Sequence, residues 1–120
     1  MRLFRRSLPL LVLTGACLLA AAMSLAAAKP ATPDGGSIFK DHKCIMCHGQ
    51  DGKGFAAIHT PDFTDPKWQA SVTDKQIADV IMSGKPNTMM KANGGGAALS
   101  DDEVQALVKF IRSLDSGKKK

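Results

Sequence analysis

The chain contains few cysteines, and their positions exclude two ways of stabilising a small protein. There are three in 120 residues, and none follows Cys47. Cys17 lies in an apolar N-terminal stretch, so only Cys44 and Cys47 remain in the rest of the chain. These two share one short motif, so no disulfide can stabilise the fold. A zinc site would need a second pair of ligands at similar spacing, and His59 is the one further candidate.

Strand patterns and basic stripes are also scarce. Almost no alternation of apolar and polar residues surrounds the two cysteines, which argues against a thioredoxin-like redox site. The net charge is +5, but three of the sixteen basic residues lie in the first 28. Another three form the run at residues 118–120, which is typical of a solvated tail. No basic stripe interleaved with aromatics remains, so no nucleic-acid binding is expected.

The N-terminus has the pattern of an export signal. Arg2, Arg5 and Arg6 precede an apolar stretch at residues 8–25, and three alanines follow at residues 26–28. This pattern predicts a cleaved signal peptide over residues 1–28 and a periplasmic domain over residues 29–120 with a Lys-rich tail. Together with these alanines the apolar stretch covers residues 8–28, which is 21 residues and long enough to span a bilayer, for which about 20 suffice. An uncleaved membrane anchor is therefore the alternative, and a cleaved signal would leave no stable membrane insertion.

The motif Cys44-Ile45-Met46-Cys47-His48 is the strongest chemical signal in the chain. Its spacing allows two thiols to add across the vinyl groups of a haem, and the next histidine can ligate the iron. A domain over residues 29–120 has a marginal core, and a buried macrocycle would add apolar contacts. The motif therefore predicts one covalently attached haem c.

Two methionines occupy a segment with no regular pattern. Met89 and Met90 lie within residues 85–99, before a run of three glycines at residues 94–96. Methionines that fill a core usually lie on helices or strands, so a thioether here is a candidate sixth ligand of the iron. The chain between His48 and the two methionines is long enough for a thioether to reach the haem face opposite the histidine. His59 is the rival ligand.

Helical patterns appear on both sides of these segments. A short helix is predicted over residues 37–44, ending at the motif. A second helix begins at a capping box formed by Thr73 and Gln76 and ends before Gly84. Residues 56–68 contain two prolines and are predicted to be irregular.

The last helix has the clearest pattern. Ser100 and Glu103 form a second capping box, and apolar residues then repeat with helical period at Val104, Leu107, Val108, Ile111 and Leu114. This helix is predicted to pack across the first one, with Phe39 meeting Leu107 or Phe110.

From about Gly36 to Leu114 the chain resembles class I c-type cytochromes. The matching features are an aromatic in the first helix, the haem motif followed by Gly49, a methionine loop and a terminal helix. The family's methionine stretch often reads Met-Pro-x-aromatic-Gly, and Met90-Lys91-Ala92-Asn93-Gly94 aligns with it. The resemblance implies Met90 as the ligand, with Lys91 at the usual proline place.

The resemblance also implies a fold and a set of site residues. The fold is the all-α cytochrome c fold, with three to four short helices around one haem. Cys44, Cys47, His48 and Met90 bind this cofactor, and His48 and Met90 ligate its iron. In the family a proline carbonyl commonly accepts a hydrogen bond from the ligand histidine, and Pro61 is the matching position. Asn93 or Asn87 is the candidate donor to the methionine sulfur.

Filled axial positions on both haem faces favour electron transfer over catalysis. The implied function is that of a monomeric one-electron carrier between redox protein partners, and not an enzyme. A membrane-anchored electron-transfer module is one alternative. A five-coordinate haem enzyme or sensor is the other, if the methionine loop does not ligate.

Overall fold

The computed structural model describes residues 31–118, which form five α-helices: α1 (Gly35–Asp41), α2 (Ile45–His48), α3 (Pro66–Ser71), α4 (Asp74–Ser83) and α5 (Asp101–Ser113). Three 3-10 helices complete the set: Ala56–Ile58, Ala92–Gly95 and Ser116–Lys118. The described part contains no strand, which confirms the all-α prediction, although the helices outnumber the expected three to four. Within residues 31–118 no helix is long and apolar enough to cross a membrane. The predicted signal at residues 1–28 lies outside the described residues.

The chain bends between α1 and α2, so the single helix predicted for residues 37–44 is wrong at its C-terminal end. Asp34 caps α1 by accepting a hydrogen bond from the Ser37 amide at 3.0 Å. That bond and one from the Ser37 hydroxyl hold the pKa of the Asp34 carboxyl below its usual value. α1 stops at Asp41, and Lys43 then takes a left-handed conformation with φ of 57°. This reversal starts a new helical turn at the cysteine motif.

Both predicted capping boxes are present. The Gln76 side chain accepts from the Thr73 amide at 2.8 Å, and the Thr73 hydroxyl accepts from the Gln76 amide at 3.2 Å. In α5 the Glu103 carboxylate accepts from the Ser100 amide at 2.8 Å. Two donors that no helical carbonyl can reach are thus satisfied at each start. Gly84 ends α4 as predicted, with φ of +74°.

α3 lies partly in the segment predicted to be irregular. Asp65 accepts a hydrogen bond from the Lys67 amide at 2.9 Å, and Pro66 occupies the first helical position. Proline suits that position because its missing N–H would have no helical partner there. An aspartate followed by a proline was therefore the overlooked start signal.

The first and last helices cross at Gly35. A methyl group on Gly35 would lie 2.7 Å from the Ala106 carbonyl carbon and 2.8 Å from Cβ of Phe110. The Phe39 and Phe110 rings lie 5.2 Å apart between centroids, which confirms the predicted contact. The buried apolar residues form one cluster: Ile38, Phe39, Phe63, Ile77, Ala78, Ile81, Val104, Ala106, Leu107, Val108 and Ile111.

A polar network joins α3 to α5. The buried Gln69 side chain donates to the carbonyls of Phe63 at 2.6 Å and Ile111 at 2.9 Å. Arg112 donates to the Gln69 carbonyl at 2.6 Å and to the Val72 carbonyl at 2.7 Å, and forms an ion pair with Asp74 at 2.7 Å. These bonds hold the short α3 helix against α5, beside the central cavity.

Candidate functional site

One cavity of about 800 Å³ lies at the centre of the described residues. Its size falls within the range of about 300–1,000 Å³ typical of small-molecule and cofactor sites. Cys44, Cys47 and His48 border it, and so do Met89 and Met90. Apolar side chains supply much of the remaining lining, among them Phe39, Phe63, Trp68, Ile77, Ile81, Leu107 and Ile111. The structure therefore brings the predicted haem-binding residues Cys44, Cys47, His48 and Met90 to a single, mostly apolar space.

The motif forms one helical turn, which places its reactive groups together. Cys44 is the N-cap of α2, and Cys47 and His48 are its last two residues. Both cysteines are of intermediate burial, and they form no disulfide with each other. Burial raises the pKa of the Cys44 thiol. The turn can thus present two thiols and an imidazole to one planar group.

The His48 imidazole is buried and stacks on an aromatic ring. It stacks on Phe63 with centroids 4.6 Å apart and planes inclined by 17°. Burial lowers the pKa of His48, which favours the neutral ring that a metal requires. Its Nδ1 atom is buried and finds no hydrogen-bond partner within residues 31–118. Buried polar atoms usually have partners, so this unpaired nitrogen calls for an explanation, and a role in a functional site would supply one.

The hydrogen bond expected from His48 to the Pro61 carbonyl is not formed. Pro61 borders the cavity, but its carbonyl oxygen packs against Gly54, 2.7 Å from the point where a Cβ would lie. Gly54 can come this close because it has no side chain and adopts φ of +69°. The prediction placed Pro61 correctly at the cavity and was wrong about its bond.

The two methionines differ in exposure. Met89 has 71% of its surface exposed, whereas Met90 is partly buried. The backbone fixes Met90 on both sides: its carbonyl accepts from the Lys85 amide at 2.9 Å, and its amide donates to the Thr88 hydroxyl at 3.1 Å. The two bonds close a tight turn at the end of α4. Of the two methionines, Met90 is thus the less exposed one, and two hydrogen bonds fix its backbone.

The remaining polar candidates lie in different places. His59 borders the cavity but is exposed, in a left-handed conformation with φ of 54° at the end of a 3-10 helix. Asn87 borders the cavity, and Asn93 is not among the lining residues. The Asn93 side-chain oxygen instead accepts from the Leu99 amide at 3.2 Å. The donor to the methionine sulfur stays a prediction, and of the two candidates only Asn87 is among the residues that line the cavity.

A helical fold around an apolar cavity, bordered by a Cys-x-x-Cys-His turn and a methionine loop, defines the class of c-type cytochromes. Within that class the chain belongs to the family described as cytochrome C oxidase, cbb3-type, subunit III, whose model matches residues 30–111. The cofactor is accordingly covalently bound haem c with its iron, and the role is electron transport.

Individual relatives agree with this assignment. The chain is 30% identical over 87 residues to the cbb3-type cytochrome c oxidase subunit CcoP of Rhodobacter capsulatus, covering 69% of this chain and 29% of the relative. It is 27% identical over 84 residues to subunit FixP of a Bradyrhizobium species, covering 70% and 28%. The chain thus spans less than a third of these relatives.

One solved structure is matched by this chain over almost the whole length of the solved protein. The KustC0563 c-type cytochrome is 32% identical with a TM-score of 0.59, and the match covers 69% of this chain and 99% of that one. This likeness confirms the predicted fold and the small monohaem cytochrome c class.

Proposed function

We propose that Cys44 and Cys47 attach haem c, that His48 and Met90 ligate its iron, and that the protein is a one-electron carrier and not an enzyme. The observation that carries this proposal is the shared cavity, which the motif and the methionine loop both border. When bound, haem c supplies a one-electron couple at its iron. The protein supplies ligands, an apolar surrounding and a surface for its partners.

Each proposed ligand has a surrounding that suits its role. Stacking on Phe63 restricts the His48 ring, and burial keeps that ring neutral, so its lone pair stays available. Partial burial of Met90 limits water around its sulfur, whereas Met89 is largely exposed. An apolar lining disfavours extra charge, which favours the reduced state and raises the potential.

The rim of the cavity supports docking of an acidic redox protein. Lys43, Lys85 and Lys91 border the cavity and are exposed. Asp79 also borders it, but its carboxylate is paired with Lys75 at 2.7 Å. Positive rims attract acidic partners and speed their encounter. Relatives named as oxidase subunits also support a redox protein as partner.

Substitution of each methionine tests the ligand assignment. In Met90→Ala holoprotein we expect loss of the long-wavelength ferric absorption band that marks methionine–iron ligation, and a lower reduction potential, because a soft ligand is removed. Met89→Ala is the matched control and should leave both unchanged. Loss of the band in Met89→Ala with its retention in Met90→Ala would contradict the assignment. A wild-type protein without the band would favour the five-coordinate enzyme or sensor.

We propose further that the carrier is a soluble periplasmic shuttle whose signal is removed before Lys29. Three alanines before this position support cleavage. The length of the apolar stretch at residues 8–28 favours the second candidate, a membrane-anchored module. The intact mass of protein purified from an exporting host distinguishes them. A mass that begins at Lys29 is expected, and a membrane-bound protein that retains residues 1–28 would contradict the shuttle.

A further inference from the structure

The methionine loop touches the haem-attachment turn at Gly94. This glycine adopts φ of +67°, and a methyl group on it would lie 3.0 Å from the His42 carbonyl oxygen and 3.8 Å from the Cys44 sulfur. The oxygen belongs to the backbone and cannot rotate away. Only glycine therefore permits this approach of the loop to the segment between α1 and α2.

Gly96 makes a second contact with the same residue. A methyl group on Gly96 would lie 3.2 Å from Nδ1 of His42 and 3.8 Å from its Cε1. That Nδ1 is buried and has no hydrogen-bond partner within residues 31–118. His42 and the loop thus meet through packing and not through a hydrogen bond. We call the approach of Gly94 and Gly96 to His42 the His42 contact.

The other end of the loop is fixed at α4. Gly84 has φ of +74°, and a methyl group there would lie 2.7 Å from the Met90 carbonyl oxygen and 2.8 Å from the Ala92 amide. Met90 therefore lies between two close backbone approaches. One anchors the loop to the end of α4, and the His42 contact anchors it beside Cys44.

We propose that His42 is a positioning residue whose contact with Gly94 and Gly96 holds the methionine loop beside the cavity, so that the Met90 sulfur stays within reach of the iron. The inference rests on the proposed role of Met90 as a ligand. It gives a physical reason for glycines at positions 94 and 96, and it links the cofactor-attachment side of the site to the methionine side. Loosening this contact should let the sulfur leave more often, with the fold retained.

Gly94→Ala and Gly95→Ala form a matched pair for the test. Both residues have positive φ, +67° and +81°, so alanine introduces similar backbone strain at each. A methyl group on Gly95 would meet only the flexible Lys91 side chain, at 3.7 Å. We measure in ferric holoprotein the rate at which added imidazole displaces the methionine. Gly94→Ala should react about tenfold faster than Gly95→Ala, since overpacking against backbone forces the loop to move. Equal rates would overturn the proposal.

A double substitution tests the side-chain half of the contact. Gly96 has no positive φ, so Gly96→Val acts mainly through its contact with the His42 ring. Gly96→Val should speed displacement about tenfold when His42 is present. The same substitution made in His42→Ala protein should add much less to the rate of that protein, because the ring that the valine would meet is gone. An equal increase with and without His42→Ala would overturn the role of His42. If Gly96→Val does not yield holoprotein, His42→Ala alone decides, and an unchanged rate would overturn the proposal.

Two controls separate this inference from the ligand assignment. Met90→Ala must remove the methionine band, and retention of that band would instead refute the proposed function. Guanidinium unfolding of every variant is measured in parallel. The displacement rate of each variant is compared with its free energy of unfolding. If Gly94→Ala and Gly95→Ala follow one common relation between these two quantities, the faster displacement reflects a general loss of stability, and the proposal is overturned.

Discussion

Arg112 donates hydrogen bonds to backbone carbonyls at the end of α3 that have no partner within a helix. The side chain is 19% exposed, and its guanidinium reaches the carbonyls of Gln69 and Val72, where α3 ends and the chain turns toward α4. Arginine suits this place because its planar group offers five donors in fixed directions. The Gln69 side-chain oxygen accepts another of these bonds at 2.9 Å. A residue near the end of the last helix thus fixes one wall of the cofactor cavity.

Arg112→Met is expected to lower the free energy of unfolding by about 2 kcal/mol, because it leaves partly buried carbonyls without donors. Guanidinium unfolding of the holoprotein measures the change. Lys109→Met on the exposed side of the same helix is the control and should change stability by less than about 0.5 kcal/mol. Equal effects of the two substitutions would contradict this role of Arg112.

At the residue scale, the sequence was most informative where chemistry requires a fixed local spacing. The placement of Cys44, Cys47 and His48 on one turn follows from their separation alone. Contacts that depend on distant chain segments were less accessible. Gln69 and Arg112 are 43 positions apart in the sequence and form a hydrogen bond. No local sequence pattern around either residue predicts that bond. The direction of the Pro61 carbonyl likewise depends on its packing against Gly54, which no motif encodes.

The crossing of α1 and α5 depends on one missing side chain. At Gly35 the helix backbones approach so closely that a methyl group would overlap the carbonyl of Ala106. Gly36 lies one position further along, and a methyl group there would meet the Phe110 ring at 3.4 Å, close to an ordinary contact. A methyl group therefore fits at Gly36 but not at the neighbouring Gly35.

Gly35→Ala should destabilise the holoprotein by about 2 kcal/mol, since the added methyl group must push the two helices apart. Gly36→Ala is the matched control on the same helix and should be close to neutral, because alanine favours helix and little must move. Thermal or guanidinium unfolding compares the two. A Gly36→Ala protein that is as unstable as Gly35→Ala would contradict this account of the crossing.

Helix starts were predictable wherever a polar side chain forms hydrogen bonds with backbone amides of the same first helical turn. The capping boxes at Thr73 and Ser100 are of this kind, and both were found. α3 was missed although Asp65 and Pro66 carry a start signal, because two prolines suggested a loop. The break before α2 was missed for a different reason: a left-handed Lys43 has no distinctive sequence signature. Such a conformation is adopted because the surrounding chain requires it.

On the scale of the whole molecule, charge is unevenly placed around the cavity. Among residues 31–118, three exposed lysines border it, and the one aspartate that borders it is paired with Lys75. An electron passes most readily where the cofactor approaches the surface, so the same rim that surrounds the site would also guide the partner. This arrangement makes encounter sensitive to dissolved salt.

Electron transfer to an acidic redox protein should slow as ionic strength rises, because salt screens the lysine rim. Lys85→Glu should slow the bimolecular rate several-fold at low salt and weaken its salt dependence. Lys109→Glu makes the same charge change away from the cavity and serves as the control. Stopped-flow measurement over a range of salt concentrations tests this, and equal slowing by both substitutions would contradict a docking site at the rim.

The overall architecture was predictable because a single motif implies a cofactor around which a short chain must wrap. The number of helices was not, since short turns such as α2 and α3 gain most of their stability from tertiary contacts and little from their own propensity.

The large apolar cavity has a consequence for how the protein is made. Phe63, Ile77 and Leu107 belong to the buried apolar cluster and also border the cavity, so the cluster and the cofactor space share a wall. The polypeptide is therefore expected to gain part of its stability only when haem fills this cavity. We expect chains without haem to be cleaved by proteases more readily than the holoprotein, so that the amount of protein in the cell would follow haem availability.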